Sequence, residues 1–348
     1  MSGEMDVQPQ AILTLYAPAI EAEMEAVLAM SRPSLPPFYD MMGYHLGWLD
    51  QRFEPTGTGT GKRVRSALCL LACEALEGDL EVALPAAAAI ELVHNFSLIH
   101  DDIEDGSAMR RGRPAVWSVW GQSHAINVGD GMMSLARRAL HRLAERGVEA
   151  VRIQAVSCVL DEACLALCQG QYLDLSFEER LDVTIEEVLA MAEGKTAALL
   201  SAATRIGAML ASDDEARIAH YRRFGEQLGI AFQITDDILG LWGDEGITGK
   251  SAVDDILQRK KTLPIVYALG QAAGREPIRD VFQKEAIGPE DVRMVRAVLE
   301  EVGARSYAQR LAEEHRQQAL AELEQTGIEN PAQERLRQLA LFLTRRAY

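Results

Sequence analysis

The stretch LIHDDIEDGSAMRRG, residues 98–112, gathers four carboxylates (Asp101, Asp102, Glu104 and Asp105) into five positions and follows them with Arg110 and Arg111. It closes an apolar run, AAAAIELVHNFSLI at 86–99, in which hydrophobic residues recur at helical three- and four-residue steps. A helix turns 100° per residue, so Asp101 and Asp105 project from nearly one face, about 6 Å apart along the axis. Taken alone, the stretch fits two readings. It is either a solvated acidic face, or a set of carboxylates that holds a hard cation such as Mg²⁺, which takes oxygen ligands and shares them with substrate phosphates.

The same helical period continues in VRSALCLLACEAL at 64–76 and AVSCVLDEACLALCQGQYLDL at 155–175, and alternating strand patterns are scarce. Breaks are short: SRPSLPP at 31–37, EPTGTGTG at 54–61, GRP at 112–114, GDEGITG at 243–249 and GREP at 274–277. The expectation is an all-α fold of ten or more helices in one domain over residues 1–348. Residues 1 to about 20 and those around 270–292 look least constrained. A second acidic pair, Asp236 and Asp237 in QITDDILGLWGD at 233–244, ends another apolar helix far away in sequence and favours the metal reading. With Arg110 and Arg111 after the first pair, and Lys250, Lys260 and Lys261 after the second, the residues describe a cavity in which Mg²⁺ ions and basic side chains clamp a diphosphate.

Composition narrows the partners. The 348 residues carry 35 basic and 52 acidic side chains, a formal charge of −17 that repels nucleic acid. Five cysteines (Cys69, Cys73, Cys158, Cys164, Cys168), an odd number without ligand spacing, read as buried thiols in a reducing, cytoplasmic compartment. No export signal opens the chain, and no run of eighteen apolar residues occurs, so no transmembrane segment is expected. Thr56 and Arg63 spoil the resemblance of TGTGTGKR to a nucleotide-binding loop, and Leu189 does the same for GKT at 194–196. The tryptophans Trp48, Trp117, Trp120 and Trp242 read as packing residues.

In order and spacing, several motifs together resemble the trans-isoprenyl diphosphate (polyprenyl) synthase family. They are GKRVR at 61–65, IELVHNFSLIHDDIEDGSAMRRG at 90–112, GD at 129–130, GQYLDLSF at 170–177, GKTAAL at 194–199, FQITDDIL at 232–239, TGK at 248–250 and KKTLP at 260–264. The resemblance implies a single large helical bundle of the isoprenoid synthase type with a central active-site cavity, and a homodimer. It implies that about three Mg²⁺ ions are bound with an allylic diphosphate by Asp101, Asp105 and Asp236, with Asp102 and Asp237 supporting. Arg110, Lys195 and Lys250 would contact that diphosphate, while Lys62, Arg65, His94 and Arg111 would bind isopentenyl diphosphate. Lys260 joins the substrate-binding set, its alignment against Lys261 being open. The allylic carbon–oxygen bond would ionise and the cation be attacked by the double bond of isopentenyl diphosphate. Lys195, Thr196 and Gln233 would place dipoles near the cation, with the released pyrophosphate as base. For His94 the ordinary alternative is a satisfied core histidine.

Product length is read from Phe96, five positions before Asp101, and the small Ser97 after it. By resemblance an aromatic residue there floors the elongation channel, and the product would be geranylgeranyl diphosphate (C20), with farnesyl diphosphate (C15) or longer chains as alternatives. The plain alternative for Phe96 is core packing. Three departures stand out. Gly240 replaces the last aspartate of the second motif, with Asp244 one turn later. Val253 and Arg259 stand where glycines are common, and the region before residue 55 carries no assigned role. Gly240 keeps open a weakly active regulatory subunit. A terpene cyclase is disfavoured, because it has no second diphosphate for Lys62, Arg65 and Arg111 to hold.

Overall fold

Each amphipathic run becomes a helix, and the chain is all-α. The computed structural model describes residues 9–30, 32–57, 61–243 and 254–345. Its helices are α1 (Pro9–Ala29), α2 (Pro36–Leu46), α3 (Val64–Ala75), α4 (Leu80–Glu104), α5 (Val116–Trp120), α6 (Gln122–His141), α7 (Ala150–Phe177) and α8 (Ile185–Ala192). They continue with α9 (Ala198–Ala211), α10 (Glu215–Trp242), α11 (Asp254–Leu257), α12 (Leu263–Gly270), α13 (Ala272–Phe282), α14 (Pro289–Glu301), α15 (Ala304–Gln325) and α16 (Pro331–Thr344). A hairpin of β1 (Met109–Arg110) and β2 (Arg113–Pro114) follows α4, and a π-helical turn, Glu193–Ala197, joins α8 to α9.

The chain forms two compact units. The first comprises Met1–Asp161, Ala203–Ile218 and Ile328–Leu336; the second comprises Glu162–Ala202, Ala219–Gly327 and Arg337–Tyr348.

In the first unit α4 is the central helix. Asp79 caps it by accepting a hydrogen bond from the Glu81 amide at 2.9 Å, which satisfies one of the amides that a helix start leaves without a partner. The small residues Ala86–Ala89 let it pack closely, and it lies against α6, α3 and α1. Burial of Ile90, Leu92 and Phe96 stabilises it by roughly 1.5–3 kcal/mol each. Among the described residues α4 alone is long and apolar enough to cross a membrane, but 83% of its most apolar window is buried, as befits a core helix. Gly129 on α6 lies close to α4, where a Cβ would stand 2.2 Å from the end of the His100 ring, so the ring would have to shift to admit a side chain.

The second unit buries one cluster around Phe177, Ile230, Ile234, Ile238 and Leu263. A second cluster forms around Leu241, Ile256, Ile265, Ile278, Val295 and Leu299. Thr184 and Glu187 cap α8 reciprocally, each side chain bonding the other's backbone amide.

Three expectations are corrected. Residues 9–20 are not loosely constrained: Ile12, Leu13, Tyr16 and Ile20 are buried on α1, a spacing that the internal Pro18 disguises. GREP at 274–277 is no break either, because it lies within α13, where Gly274 packs on the Ala268 carbonyl and Ile278, Val281 and Phe282 are buried. Finally, Cys158 and Cys168 are exposed, whereas Cys69, Cys73 and Cys164 are buried. Polar and apolar residues are spread all round α7, so its periodicity does not reveal the outward face. The tryptophans do pack: Trp117 Nε1 donates to the Ser107 carbonyl at 2.8 Å, Trp48 Nε1 to Glu21 at 2.5 Å, and Trp120 stacks on Phe53.

Candidate active site

In the first unit the acidic motif ends α4, with Asp101 half-buried, Asp102 buried and Asp105 at the C-cap. Asp102 Oδ1 accepts from Arg110 Nε at 2.7 Å, so this carboxylate orients an arginine. Arg110 pairs with Arg113 across the hairpin, and the two residues between them, Arg111 and Gly112, have φ of 51° and 73°. Positive φ at both central positions marks a type I′ turn. Holding Arg111 left-handed costs roughly 1–2 kcal/mol and projects its side chain from the hairpin tip. Crowding protein atoms, then the charges of Arg63 and Arg110, push its pKa down to about 10, so it stays charged at neutral pH.

The basic residues of the GKRVR segment converge on α4. Arg65 Nη1 donates to His94 Nε2 at 3.2 Å. His94 must therefore carry its proton on Nδ1, and burial, followed by the charges of Arg65, Arg111 and Arg110, holds it neutral. Lys62 is exposed at the start of this segment. Ser97 Oγ donates to the His94 carbonyl at 2.8 Å, and Phe96 is buried edge-on to His100, ring centroids 5.8 Å apart.

Two contributors have no role assigned from the sequence, Arg63 within GKRVR and His45 on α2. Arg63 sits left-handed (φ 50°) at the N-cap of α3, fully buried. Its guanidinium bonds Glu21 Oε1 at 2.7 Å from Nε, and Glu91 Oε1 at 3.0 Å from Nη1. Burial alone would raise the pKa of Glu91, but Arg63 and the Ser66 hydroxyl hold it below the usual carboxylate range. The group anchors the start of α3, with Lys62 just before it and Arg65 in its first turn, and Glu21 gives the region before residue 55 a role. His45 is buried on α2 and, with Tyr44, lines a small cavity shared with Arg110, Arg111 and Arg113. Its Nε2 has no hydrogen-bond partner among the described residues. Burial first, then Arg111, Arg110 and Arg63, keep it neutral. A lone histidine in MMGYHLGW offers no spacing by which to recognise it.

In the second unit a relay of side chains organises α10. Thr196 Oγ1 donates to Gln233 Oε1 at 2.5 Å, Gln233 Nε2 donates to Asp237 Oδ1 at 3.0 Å, and Asp237 Oδ2 accepts from the Leu263 amide at 3.0 Å. Asp237 is buried, and that burial raises its pKa to about 7 against the pull of those two donors; Asp236 is exposed. Lys195 Nζ pairs with Asp174 Oδ2 at 2.5 Å. Asp174 lies in the GQYLDLSF motif, and pairing identifies it as the residue that positions Lys195. The π-helical turn bearing Lys195 and Thr196 packs backbone to backbone on α7, where a Cβ on Gly170 would lie 2.1 Å from the Lys195 nitrogen. Such turns insert one extra residue and often mark functional sites.

The lysine pair separates by environment. Lys261 is buried, donates to the carbonyls of Glu178 at 3.0 Å and Arg259 at 2.8 Å, and has its pKa lowered to about 8 by that burial. Lys260 is half-buried. Arg259 adopts φ 55°, the conformation a glycine takes easily, and its guanidinium is tied to the carbonyls of Lys284 and Glu285 at 2.5 and 3.2 Å. Lys250, Asp244 and Val253 lie outside the described residues.

Asp101 and Asp105 in the first unit and Asp236 in the second are hard oxygen donors. Among the described residues no three acidic, imidazole or thiol groups converge to enclose an ion unaided. Within each unit, taken by itself, such carboxylates fit Mg²⁺, which is commonly held by one or two carboxylates and completed by substrate phosphate.

The chain was compared with known proteins. The family model described as polyprenyl synthetase matches residues 47–302. A geranylgeranyl diphosphate synthase of Mycobacterium tuberculosis is 43% identical over 82% of this chain and 81% of its own length. A (2E,6E)-farnesyl diphosphate synthase of Mycobacterium bovis is 38% identical over 88% and 85%. Among solved structures, a polyprenyl synthetase from Streptomyces coelicolor A3(2) superposes with a TM-score of 0.88 at 36% identity, covering 97% of this chain and 99% of that one. A geranylgeranyl pyrophosphate synthase from Corynebacterium glutamicum, complexed with isoprenyl diphosphate and magnesium, gives 0.78 at 26% identity over 98% and 100%. With the motifs, the helical architecture and these matches in agreement, the chain belongs to the polyprenyl synthetase family and is a prenyltransferase.

Proposed function

We propose that the protein condenses isopentenyl diphosphate head to tail with an allylic diphosphate, in a Mg²⁺-dependent reaction that releases pyrophosphate and yields chiefly geranylgeranyl diphosphate. The observation that carries this reading is the convergence in the first unit of Arg65, His94 and Arg111, a second set of diphosphate-binding groups beside the carboxylates, for which a cyclase has no use.

Asp101, Asp105 and Asp236 hold Mg²⁺, with Asp102 and Asp237 supporting them through their hydrogen bonds to Arg110 and Gln233. Mg²⁺, when bound, supplies Lewis acidity that draws charge off the leaving diphosphate. Arg110, Lys195 and Lys250 bind the allylic diphosphate, Lys62, Arg65, His94 and Arg111 bind isopentenyl diphosphate, and Lys260 contacts substrate oxygens. Arginine forks suit such bidentate contacts. In the condensation the allylic carbon–oxygen bond breaks, the double bond of isopentenyl diphosphate forms the new carbon–carbon bond, and the departing pyrophosphate takes the proton. Lys195, Thr196 and Gln233 orient dipoles toward the developing positive charge.

The geranylgeranyl assignment draws on the buried Phe96 before Asp101 and on the M. tuberculosis relative. A farnesyl product is the second reading, favoured by the M. bovis relative. Purified protein is incubated with isopentenyl diphosphate, Mg²⁺ and, separately, dimethylallyl, geranyl or farnesyl diphosphate, beside an Asp101→Ala control, and chain lengths are read by mass spectrometry. A C20 product absent from the control supports the reading; a C15 product corrects its length, and no condensation with any primer overturns it.

A further inference from the structure

We propose that Arg113 and Tyr44 form a clasp that positions Arg111 for the diphosphate of isopentenyl diphosphate; the inference rests on the synthase reading above. Two strands of two residues do not hold a hairpin by themselves, and a left-handed arginine in the turn works against it. The hairpin is therefore fixed from outside. On β1, Arg110 Nε donates to Asp102 Oδ1 at 2.7 Å, which ties that strand to the end of α4. At the base, the Ala115 amide bonds the Ala108 carbonyl at 2.8 Å, and Ser118 Oγ donates to the same carbonyl at 3.0 Å.

The tie on β2 runs to α2 and the loop after it. Arg113 Nη2 donates to the Leu49 carbonyl at 2.6 Å, and Nη1 to the Tyr44 carbonyl at 3.4 Å. Tyr44 lies in the last turn of α2, where carbonyls lack helical partners and a cation is favoured. The guanidinium also lies over the Tyr44 ring, 4.2 Å from its centroid, and the Tyr44 hydroxyl donates in return to the Pro114 carbonyl at 2.7 Å. Each partner thus grips the other's backbone. Trp120 packs edge-on against the Tyr44 ring, centroids 4.9 Å apart, and stacks on Phe53, which holds the ring in place. Arginine, unlike lysine, can fork to two carbonyls and stack at once. With both strands anchored the hairpin tip is fixed, and Arg111 meets the anion already ordered, which lowers the entropic cost of binding.

The test is the affinity for isopentenyl diphosphate, measured by titration calorimetry with no allylic partner and so without turnover, in the wild type, Arg113→Met, Tyr44→Phe, Arg111→Met and the double variant Arg111→Met/Arg113→Met. Arg113→Met keeps a long side chain but removes its donors, and is expected to weaken binding about tenfold. Tyr44→Phe removes one hydroxyl and should weaken it about threefold. In the Arg111→Met background, Arg113→Met should add less than about twofold, because the group it positions is gone. Unchanged affinity in Arg113→Met, or losses that simply add in the double variant, overturns the inference. Where Arg113→Met fails to fold, Tyr44→Phe with and without Arg111→Met carries the same cycle. Failure of the wild type to condense substrates would overturn the synthase reading separately, since the binding comparison does not need turnover.

Discussion

Lys261 shows how one residue can be settled by its surroundings where its neighbour in sequence is not. Its ammonium is folded under two carbonyls and over the Phe282 ring, 5.2 Å from the centroid. Burial lowers its pKa from 10.5 to about 8, so between those values the unfolded chain binds more protons than the folded one and stability rises with pH. Relative to Lys261→Met, the wild type should gain up to about 3 kcal/mol from pH 8 to 10.5; chemical denaturation across that range measures it, and parallel curves would contradict the shift. Phe96 carries a second prediction at this scale. If its ring floors the channel, Phe96→Ala lengthens the products by at least one isoprene unit; an unaltered chain-length distribution assigns it to packing alone. Arg259 was legible only as an oddity where glycine is common. Its left-handed φ and its two carbonyl anchors explain how a larger residue keeps a glycine's conformation.

At the scale of elements, glycines mark where helices touch, and the atoms they touch rank their importance. Gly170 meets the backbone of the π-helical turn, which cannot swing aside, whereas Gly129 meets the end of the His100 ring, which can. Gly170→Ala should therefore cost about 3 kcal/mol or more and Gly129→Ala about 1 kcal/mol, as read from thermal unfolding; the reverse order would refute the packing argument. The helical period marked the runs that form α3, α4, α7 and α10 and set the fold class, because breaks between amphipathic runs are short and polar. It failed where composition hid direction: Pro18 and Pro277 sit inside helices. The acidic motifs were legible because repelling charges at the end of an apolar helix need an explanation. The roles of His45 and Arg63 were not: His45 is a lone polar residue among apolar ones, and Arg63, between Lys62 and Arg65, is told apart from them only by partners remote in sequence, Glu21 and Glu91.

At the scale of the whole molecule, α7 exposes several large apolar side chains among the described residues. Val151, Leu165 and Tyr172 are among the exposed large hydrophobic residues, at 79%, 61% and 71%, and Cys158 is exposed as well. They recur every seven residues, so by helix geometry they form one stripe. An apolar stripe of this kind suits a second copy of the chain. Light scattering should give twice the 38.3 kDa of one chain, and Leu165→Glu with Tyr172→Glu should shift the mass toward a single chain; a wild-type monomer would remove the stripe's proposed role.

The buried Arg63 also bears on where the working protein begins. Its guanidinium is shared between Glu91 on α4 and Glu21 on α1, and Glu21 in turn receives Trp48. The family match starts at residue 47, yet a chain trimmed to that point would strand a buried cation with half of its counter-charge, a loss of roughly 3–5 kcal/mol. The leading helix is therefore part of the foundation under Lys62 and Arg65, and any shortened or fused version of this enzyme has to keep it.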